Sequence, residues 1–365
     1  MRQRPPFRAD MVGSLLRTPR LKEARAEKAS AAITAEQLRR IEDEEIIALI
    51  AKQESVGLDA VTDGEFRRSW WHYDFFQHLV GVEMRPVEQG IQFAGVQTRA
   101  EAPHVVGKID FADHPFVEHF RFVKRHTTRM PKFTIPSPSM LHYRGGRKLI
   151  DFAAYPDLEH FYADLAAAYR KGIQALYDAG CRYLQLDDVS FAYLCDPVQR
   201  RMLADRGDDP ARQPQIYADM INNAIADRPS DLTITMHLCR GNFRSTFVAS
   251  GGYEPVADLL FNGIAADGYF MEWDSDRAGG FEPLRFLPKE KSVVLGLVTS
   301  KSGTLEDKKA VLARIEDAAR YAPLDQLCLS PQCGFASTEE GNTLAEDEQW
   351  AKLRLIEDIA GEVWR

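Results

Sequence analysis

The motif His237-Leu238-Cys239 closes an apolar run at residues 232–236. Residues two apart in an extended chain share a face, so this imidazole and thiol can approach one cation together. Glu272 closes a second run, Tyr269-Phe270-Met271, where an ionised carboxylate needs a counter-charge or a metal. Cys333 follows a third run, at 326–330, within Ser330-Pro331-Gln332-Cys333-Gly334-Phe335. Taken singly, each has an ordinary structural explanation: a packed His-x-Cys, a carboxylate paired with arginine, a small buried thiol. Placed at the ends of parallel strands, the four reach one rim and form a ligand set for Zn2+, which takes imidazole, thiolate and carboxylate donors in tetrahedral geometry. Zinc has no redox chemistry and acts as a Lewis acid. It lowers the pKa of a bound thiol and presents the thiolate, the form that attacks carbon. The expectation is a zinc-dependent alkyl transfer to sulfur, with Glu272, the weakest donor, as the ligand that yields to a substrate thiol.

The elements that must carry these residues are short apolar runs at 9–14, 58–63, 132–137, 182–187, 232–237, 268–272, 293–298 and 326–330. They read as strands buried on both faces. Helical patterns alternate with them. That at 34–55 opens with Thr34 and Gln37 in capping-box spacing; others run over 158–179, stopped by Gly180, and over 304–319 and 345–363. Eight strand–helix units predict an α/β fold, a closed (β/α)8 TIM-type barrel occupying residues 1–365 as one catalytic domain. A doubly wound sheet is the alternative that periodicity leaves open. Residues 80–110 break the rhythm with alternating, turn-punctuated sequence and predict a β-hairpin inserted after the second strand. A lid, a dimer contact and a surface elaboration all fit it. Trp70-Trp71-His72-Tyr73, with Phe75 and Phe76, reads either as a pocket wall or as an aromatic helix packed on the barrel.

A formal charge of −8, spread along the chain, gives no basic stripe for nucleic acid or anionic membrane. No apolar run approaches the roughly 20 residues that span a bilayer, and no apolar h-region follows the basic start. Five scattered cysteines suit a reducing, cytoplasmic setting. The composition leaves room for a homo-oligomer.

His237-x-Cys239, the strand-end Glu272 and Ser-Pro-x-Cys333-Gly334 resemble the zinc site of the cobalamin-independent methionine synthase family, specifically its C-terminal catalytic barrel. Val12-Gly13-Ser14 resembles the loop that holds the homocysteine carboxylate. Asp63-Gly64-Glu65 resembles the segment with a substrate-binding glutamate, and Leu184-Gln185-Leu186-Asp187-Asp188 the strand whose aspartate takes the substrate ammonium. The resemblance implies Zn2+ as cofactor, a small-molecule thiol such as homocysteine as acceptor, and Ser14, Glu65 and Asp187 as its grip. On the donor side it points to Ser137, Tyr143, Asp188, Arg240 and Lys301. Tyr143 stands where the family stacks a tryptophan on the pterin, Lys301 where it has a histidine, and Tyr193 where it has a glutamate. The product would be methionine, and the donor methyltetrahydropteroyl-glutamate, a methyl-corrinoid protein or another activated methyl compound. Single-barrel relatives of the epoxyalkane:coenzyme M transferase kind are the alternative enzyme, with Arg240 as a sulfonate partner. A non-catalytic zinc-binding barrel is the alternative of another class.

Overall fold

The computed structural model describes residues 4–364. Its strands, in chain order, are β1 (Ala60–Val61), β2 (Val80–Pro86), β3 (Gln92–Phe93), β4 (Val96–Gln97), β5 (Glu101–Asp110), β6 (Met130–Pro136), β7 (Tyr183–Asp188), β8 (Thr233–Leu238), β9 (Gly268–Glu272), β10 (Ser292–Val298) and β11 (Leu327–Pro331). One parallel sheet takes seven of them in the order β1-β6-β7-β8-β9-β10-β11. The order follows the chain without reversal, so there is no switch point of the doubly wound kind. Strands β7, β9, β10 and β11 are buried at every position, as expected for a parallel sheet covered on both faces. The helices that cover it include Ala35–Val56, Leu158–Asp178, Lys308–Ala318 and Glu346–Val363, close to the four predicted. The sheet is a curled parallel half-barrel, consistent with a TIM-type barrel.

The predicted first strand, 9–14, is reduced to one parallel bridge between Ala9 and Leu329 of β11. Its backbone is satisfied in other ways. Gln185 Nε2 donates to Val12 O (2.7 Å), Thr62 Oγ1 to Gly13 O (2.6 Å) and Phe335 N to Ser14 O (2.9 Å). Leu15 N donates to Gly64 O (3.0 Å). Segment 9–15 therefore touches both β11 and the chain just beyond β1, and trades ladder bonds for side-chain bonds that turn Ser14 toward the strand ends. The strand predicted at 58–63 is also short. Gln53, from the helix Ala35–Val56, caps it by accepting from Thr62 N (2.9 Å) and donating to Thr62 O (2.9 Å).

The excursion is an antiparallel pair, β2 with β5, that carries a smaller hairpin, β3 with β4, at its tip. Phe93 of the tip packs with Trp70, Tyr73 and Phe243 in an apolar cluster separate from the main core. Ala94 N donates to Phe247 O (3.0 Å), tying the tip to the loop after β8.

Candidate metal centre and substrate cavity

Parallel register decides which side chains meet. Asp187 of β7 lies opposite His237 of β8, and Glu272 of β9 opposite Gly296 of β10. The C-terminal ends of the strands thus bring four predicted ligands together. His237, Cys239, Glu272 and Cys333 are all buried, and one ligand atom from each lies within 4.8 Å of the others. His237 Nε2 is 3.4 Å from Cys333 Sγ, and the two thiol sulfurs are 3.5 Å apart. Sulfurs on a tetrahedral zinc, each at ~2.3 Å, would be separated by roughly 3.8 Å, so the donor set is already near the size a metal needs.

Three of the four ligands are oriented from behind. His237 Nδ1 faces Phe270 O (3.2 Å), which directs Nε2 into the cluster. Gly241 N donates to Cys239 Sγ (3.3 Å). Glu272 Oε1 accepts from Arg240 N (2.7 Å), and Glu272 Oε2 lies 3.4 Å from Arg277 Nη2. Tyr253 OH accepts from Glu272 N (3.0 Å) and donates to Leu238 O (3.2 Å), pinning the ends of β8 and β9 together.

The electrostatics suit a cation. The hydrogen bond from Cys239 and the neighbouring His237 hold the Cys333 thiol well below its usual range. Cys239, which keeps the shared proton, is pushed well above it by that bond and by burial. Burial opposes the charged imidazole of His237, yet the Cys333 sulfur beside it leaves its pKa raised. Burial raises Glu272, with Lys301 pulling it down in part. Two thiols, a carboxylate and an imidazole gathered in one buried cluster suit a divalent cation, which favours their deprotonated forms.

Beside the cluster opens a narrow cavity. Ser14, Glu65 and Asp187 line it together with His237, Cys239 and Cys333. Ser14 and Gly334 approach so closely that a Cβ at Gly334 would fall 1.9 Å from Ser14 Oγ. Glu65 sits in left-handed backbone (φ 61°), after Gly64 at φ 62°, with its amide held by Asp63 Oδ1 at 2.9 Å. Such a conformation in a non-glycine residue carries strain of the sort found at functional positions. Its Oε1 accepts from Thr134 (2.9 Å), while the buried Oε2 has no hydrogen-bond partner among the described residues. Burial raises the Glu65 carboxyl, with Arg68 and Arg17 opposing. Asp187 is pushed up to about 7, by burial first; His237 opposes and Glu65 adds to the rise.

The expected donor-side residues do not form one group. Asp188 lines the cavity but its oxygens are engaged by Ser139 Oγ, by Ser190 Oγ (2.8 Å) and by Phe191 N (3.1 Å). Ser137 is buried behind it, its hydroxyl 3.0 Å from Ser139 Oγ. Tyr143 lines a neighbouring outer groove instead of the metal cavity. Lys301 Nζ lies 3.4 Å from Asn242 Oδ1, outside the cavity wall. Arg240 is fully buried, its guanidinium 4.1 Å from the Tyr253 ring centroid and away from the cavity. It serves the site through its backbone. Trp70 and Trp71 do line the cavity, and Trp70 also stacks on Tyr73 at 5.1 Å, so the wall and the packing both hold.

Sequence reasoning missed Ile91, Phe93, Arg144 and Asn242 as lining residues. Ile91 and Phe93 belong to the inserted hairpin, whose path over the rim no local pattern reveals. Arg144 directly follows Tyr143 on the short helix Ser139–Gly145; both line the outer groove, and of the two Arg144 alone reaches the metal cavity.

The cobalamin-independent synthase catalytic domain model matches residues 7–361, and the chain belongs to that family. It is 55% identical over 365 residues to YxjH of Bacillus subtilis, an uncharacterized protein, covering 100% of this chain and 96% of the relative. A Listeria monocytogenes structure, described as a candidate vitamin-B12-independent methionine synthase, matches with 44% identity, TM-score 0.80 and complete coverage of both chains. The 5-methyltetrahydropteroyltriglutamate–homocysteine methyltransferase of Bacillus velezensis is 23% identical over 339 residues, spanning 92% of this chain but 40% of that longer protein. Among the described residues, no helix is long and apolar enough to cross a membrane.

Proposed function

We propose that this protein is a zinc-dependent thiol S-methyltransferase whose acceptor is an amino-thiol of the homocysteine type, and that its half-barrel is a (β/α)8 barrel with segment 9–15 in the eighth position. One observation carries the proposal: two buried carboxyls, Glu65 and Asp187, open into the same cavity as the His237–Cys239–Glu272–Cys333 cluster. The cluster fits zinc in donor chemistry and in size. When bound, zinc would supply the Lewis acidity that makes a substrate thiol a thiolate at neutral pH.

The chain's own residues account for the rest. Burial is the first cause that raises both Glu65 and Asp187, and Glu65 adds to the rise of Asp187; an ammonium entering between them would offset the lost solvation and gain two charge-assisted hydrogen bonds. Trp70, Trp71, Ile91 and Phe93 keep water from the sulfur. Arg277 and Arg240 N hold Glu272 and allow it to be released without leaving a bare buried carboxylate. Coenzyme M, with a sulfonate in place of the carboxylate and no ammonium, would leave these two acids without a cation, which argues against that alternative. Family membership and the likeness to a homocysteine methyltransferase support the same reading. The donor is proposed only as an activated methyl compound, which a folate or a methyl-corrinoid protein would each satisfy.

X-ray absorption at the zinc edge, with and without homocysteine, tests the proposal. A new sulfur at ~2.3 Å is expected. An unchanged zinc shell, or calorimetric binding of coenzyme M in preference to homocysteine, would overturn it.

A further inference from the structure

Among the described residues that line the metal cavity, Arg144 carries the only guanidinium or ammonium group. It also lines the outer groove, so it stands with Ile91, Phe93 and Tyr193 on the partition between the two spaces. Its one hydrogen bond runs from Nε to His72 Nε2, at 3.1 Å. Among the described residues no carboxylate lies within ion-pair distance of it. His72 is completely buried between Trp71, with ring centroids 4.3 Å apart, and Tyr73, at 4.1 Å. Burial, and then Arg144 itself, hold the imidazole well below its usual pKa, so it accepts as a neutral ring. A neutral acceptor fixes the guanidinium plane through Nε without consuming its charge. The Nη edge, the fork that matches a carboxylate, is left with no partner.

We propose that Arg144 is the anion-recognising residue of this cavity, positioned by His72, and that it takes a carboxylate-like group at the junction with the outer groove. The proposal rests on the amino-thiol reading above and adds the other half of the ligand: acids on one wall for the ammonium, one held guanidinium for the anion. That anion is either the acceptor's own carboxylate or a carboxylate of the second substrate reaching in from the groove. It replaces Arg240, whose buried side chain cannot meet a ligand in the cavity.

Calorimetry on the zinc-loaded protein decides the matter, using homocysteine, 3-amino-1-propanethiol (the same thiol and amine without the carboxylate) and glutarate (carboxylates without the thiol). For an acceptor carboxylate, wild type prefers homocysteine to the aminothiol. Arg144→Gln weakens homocysteine roughly 10–100-fold and leaves the aminothiol unchanged, as loss of a charge-assisted pair requires. For a second-substrate carboxylate, homocysteine is unaffected and glutarate binding is what Arg144→Gln abolishes. Arg144→Lys restores part of the lost affinity in either case, which separates charge from collapse of the fold. His72→Ala reproduces the Gln variant's pattern and His72→Asn, which keeps an acceptor, recovers it. Unchanged affinities for both homocysteine and glutarate in Arg144→Gln overturn the proposal while the thiol reading stands. If neither thiol binds the wild type but glutarate binding needs Arg144, the thiol reading fails and the anion site stands.

Discussion

Tyr253→Phe removes a single oxygen that touches neither the cavity nor any ligand head. The hydroxyl joins the backbone of the Glu272 strand end to that of Leu238, between His237 and Cys239. The ring keeps its other duties in the variant: it packs edge-on to Trp273 at 5.3 Å and carries the Arg240 guanidinium at 4.1 Å. What changes is that a buried N–H at Glu272 and a buried C=O at Leu238 each lose a partner. An unsatisfied buried group costs about 1–3 kcal/mol; the carbonyl, with a second lone pair, relaxes more readily, so about 2 kcal/mol is expected in total. At roughly 1.3 °C per kcal/mol for a chain of this size, the metal-free melting point falls by about 3 °C. Freed from the clamp, the strand ends hold their ligands less firmly, and zinc affinity falls about 10–100-fold, as for other groups that orient ligands from behind. Competition against a chromophoric chelator measures the affinity and a fluorescence melt the stability. A variant that melts lower yet binds zinc within twofold of wild type would refute the clamp and leave Tyr253 as ordinary packing.

Three further outcomes are expected. Phe93→Ala should open the wall between the metal cavity and the outer groove, raising acrylamide quenching and red-shifting tryptophan emission through Trp70 and Trp71. The global melting point should move less than for a main-core Phe→Ala (about 3–5 kcal/mol), because the tip cluster is separate; unchanged quenching would count against the partition. Lys132→Met leaves Asp10 buried without its 3.2 Å partner and should cost about 3–5 kcal/mol, with Asp10→Asn in the same chain recovering much of it, as urea titration would show. Glu357 is raised to about 7 by burial, with Asp59 and Asp10 adding to it. Its folded pKa lies above the unfolded one, so the native state binds the extra proton between them and stability falls as pH rises from about 4.5 through 7. Glu357→Gln should therefore stabilise the protein at pH 8, by about 1–3 kcal/mol at most, and have little effect at pH 4; equal effects at both would sink the assignment.

The strands at 182–187, 232–237, 268–272, 293–298 and 326–330 were legible in the sequence because a parallel strand buried on both faces is a continuous apolar run, and each was placed within a residue or two. The helix start at Thr34 was legible for a local reason: the capping box closes on itself, with Gln37 N donating to Thr34 Oγ1 at 3.1 Å and Thr34 N to Gln37 Oε1 at 2.7 Å. What escaped was settled by partners distant in sequence. Segment 9–14 has the apolar character of a strand, but Gln185, Thr62 and Phe335 take its hydrogen bonds, and none of them can be read from the segment itself.

The same physics separates Asp187 from Asp188. Spelled side by side on β7, the two carry identical chemistry, and the structure raises both by burial. Asp188 is met by two serine hydroxyls and a backbone amide, so its carboxylate already has the donors a buried anion requires and serves to brace the chain that follows β7. Asp187 receives one hydrogen bond, 2.7 Å from Gln185, and lies in register with His237 on the wall that Glu65 completes. A buried carboxylate with too few donors is unstable as it stands and acquires its missing partner from whatever enters the cavity. On the proposed function, what separates Asp188 as a structural acid from Asp187 as a binding acid is the number of hydrogen bonds the fold withholds from it.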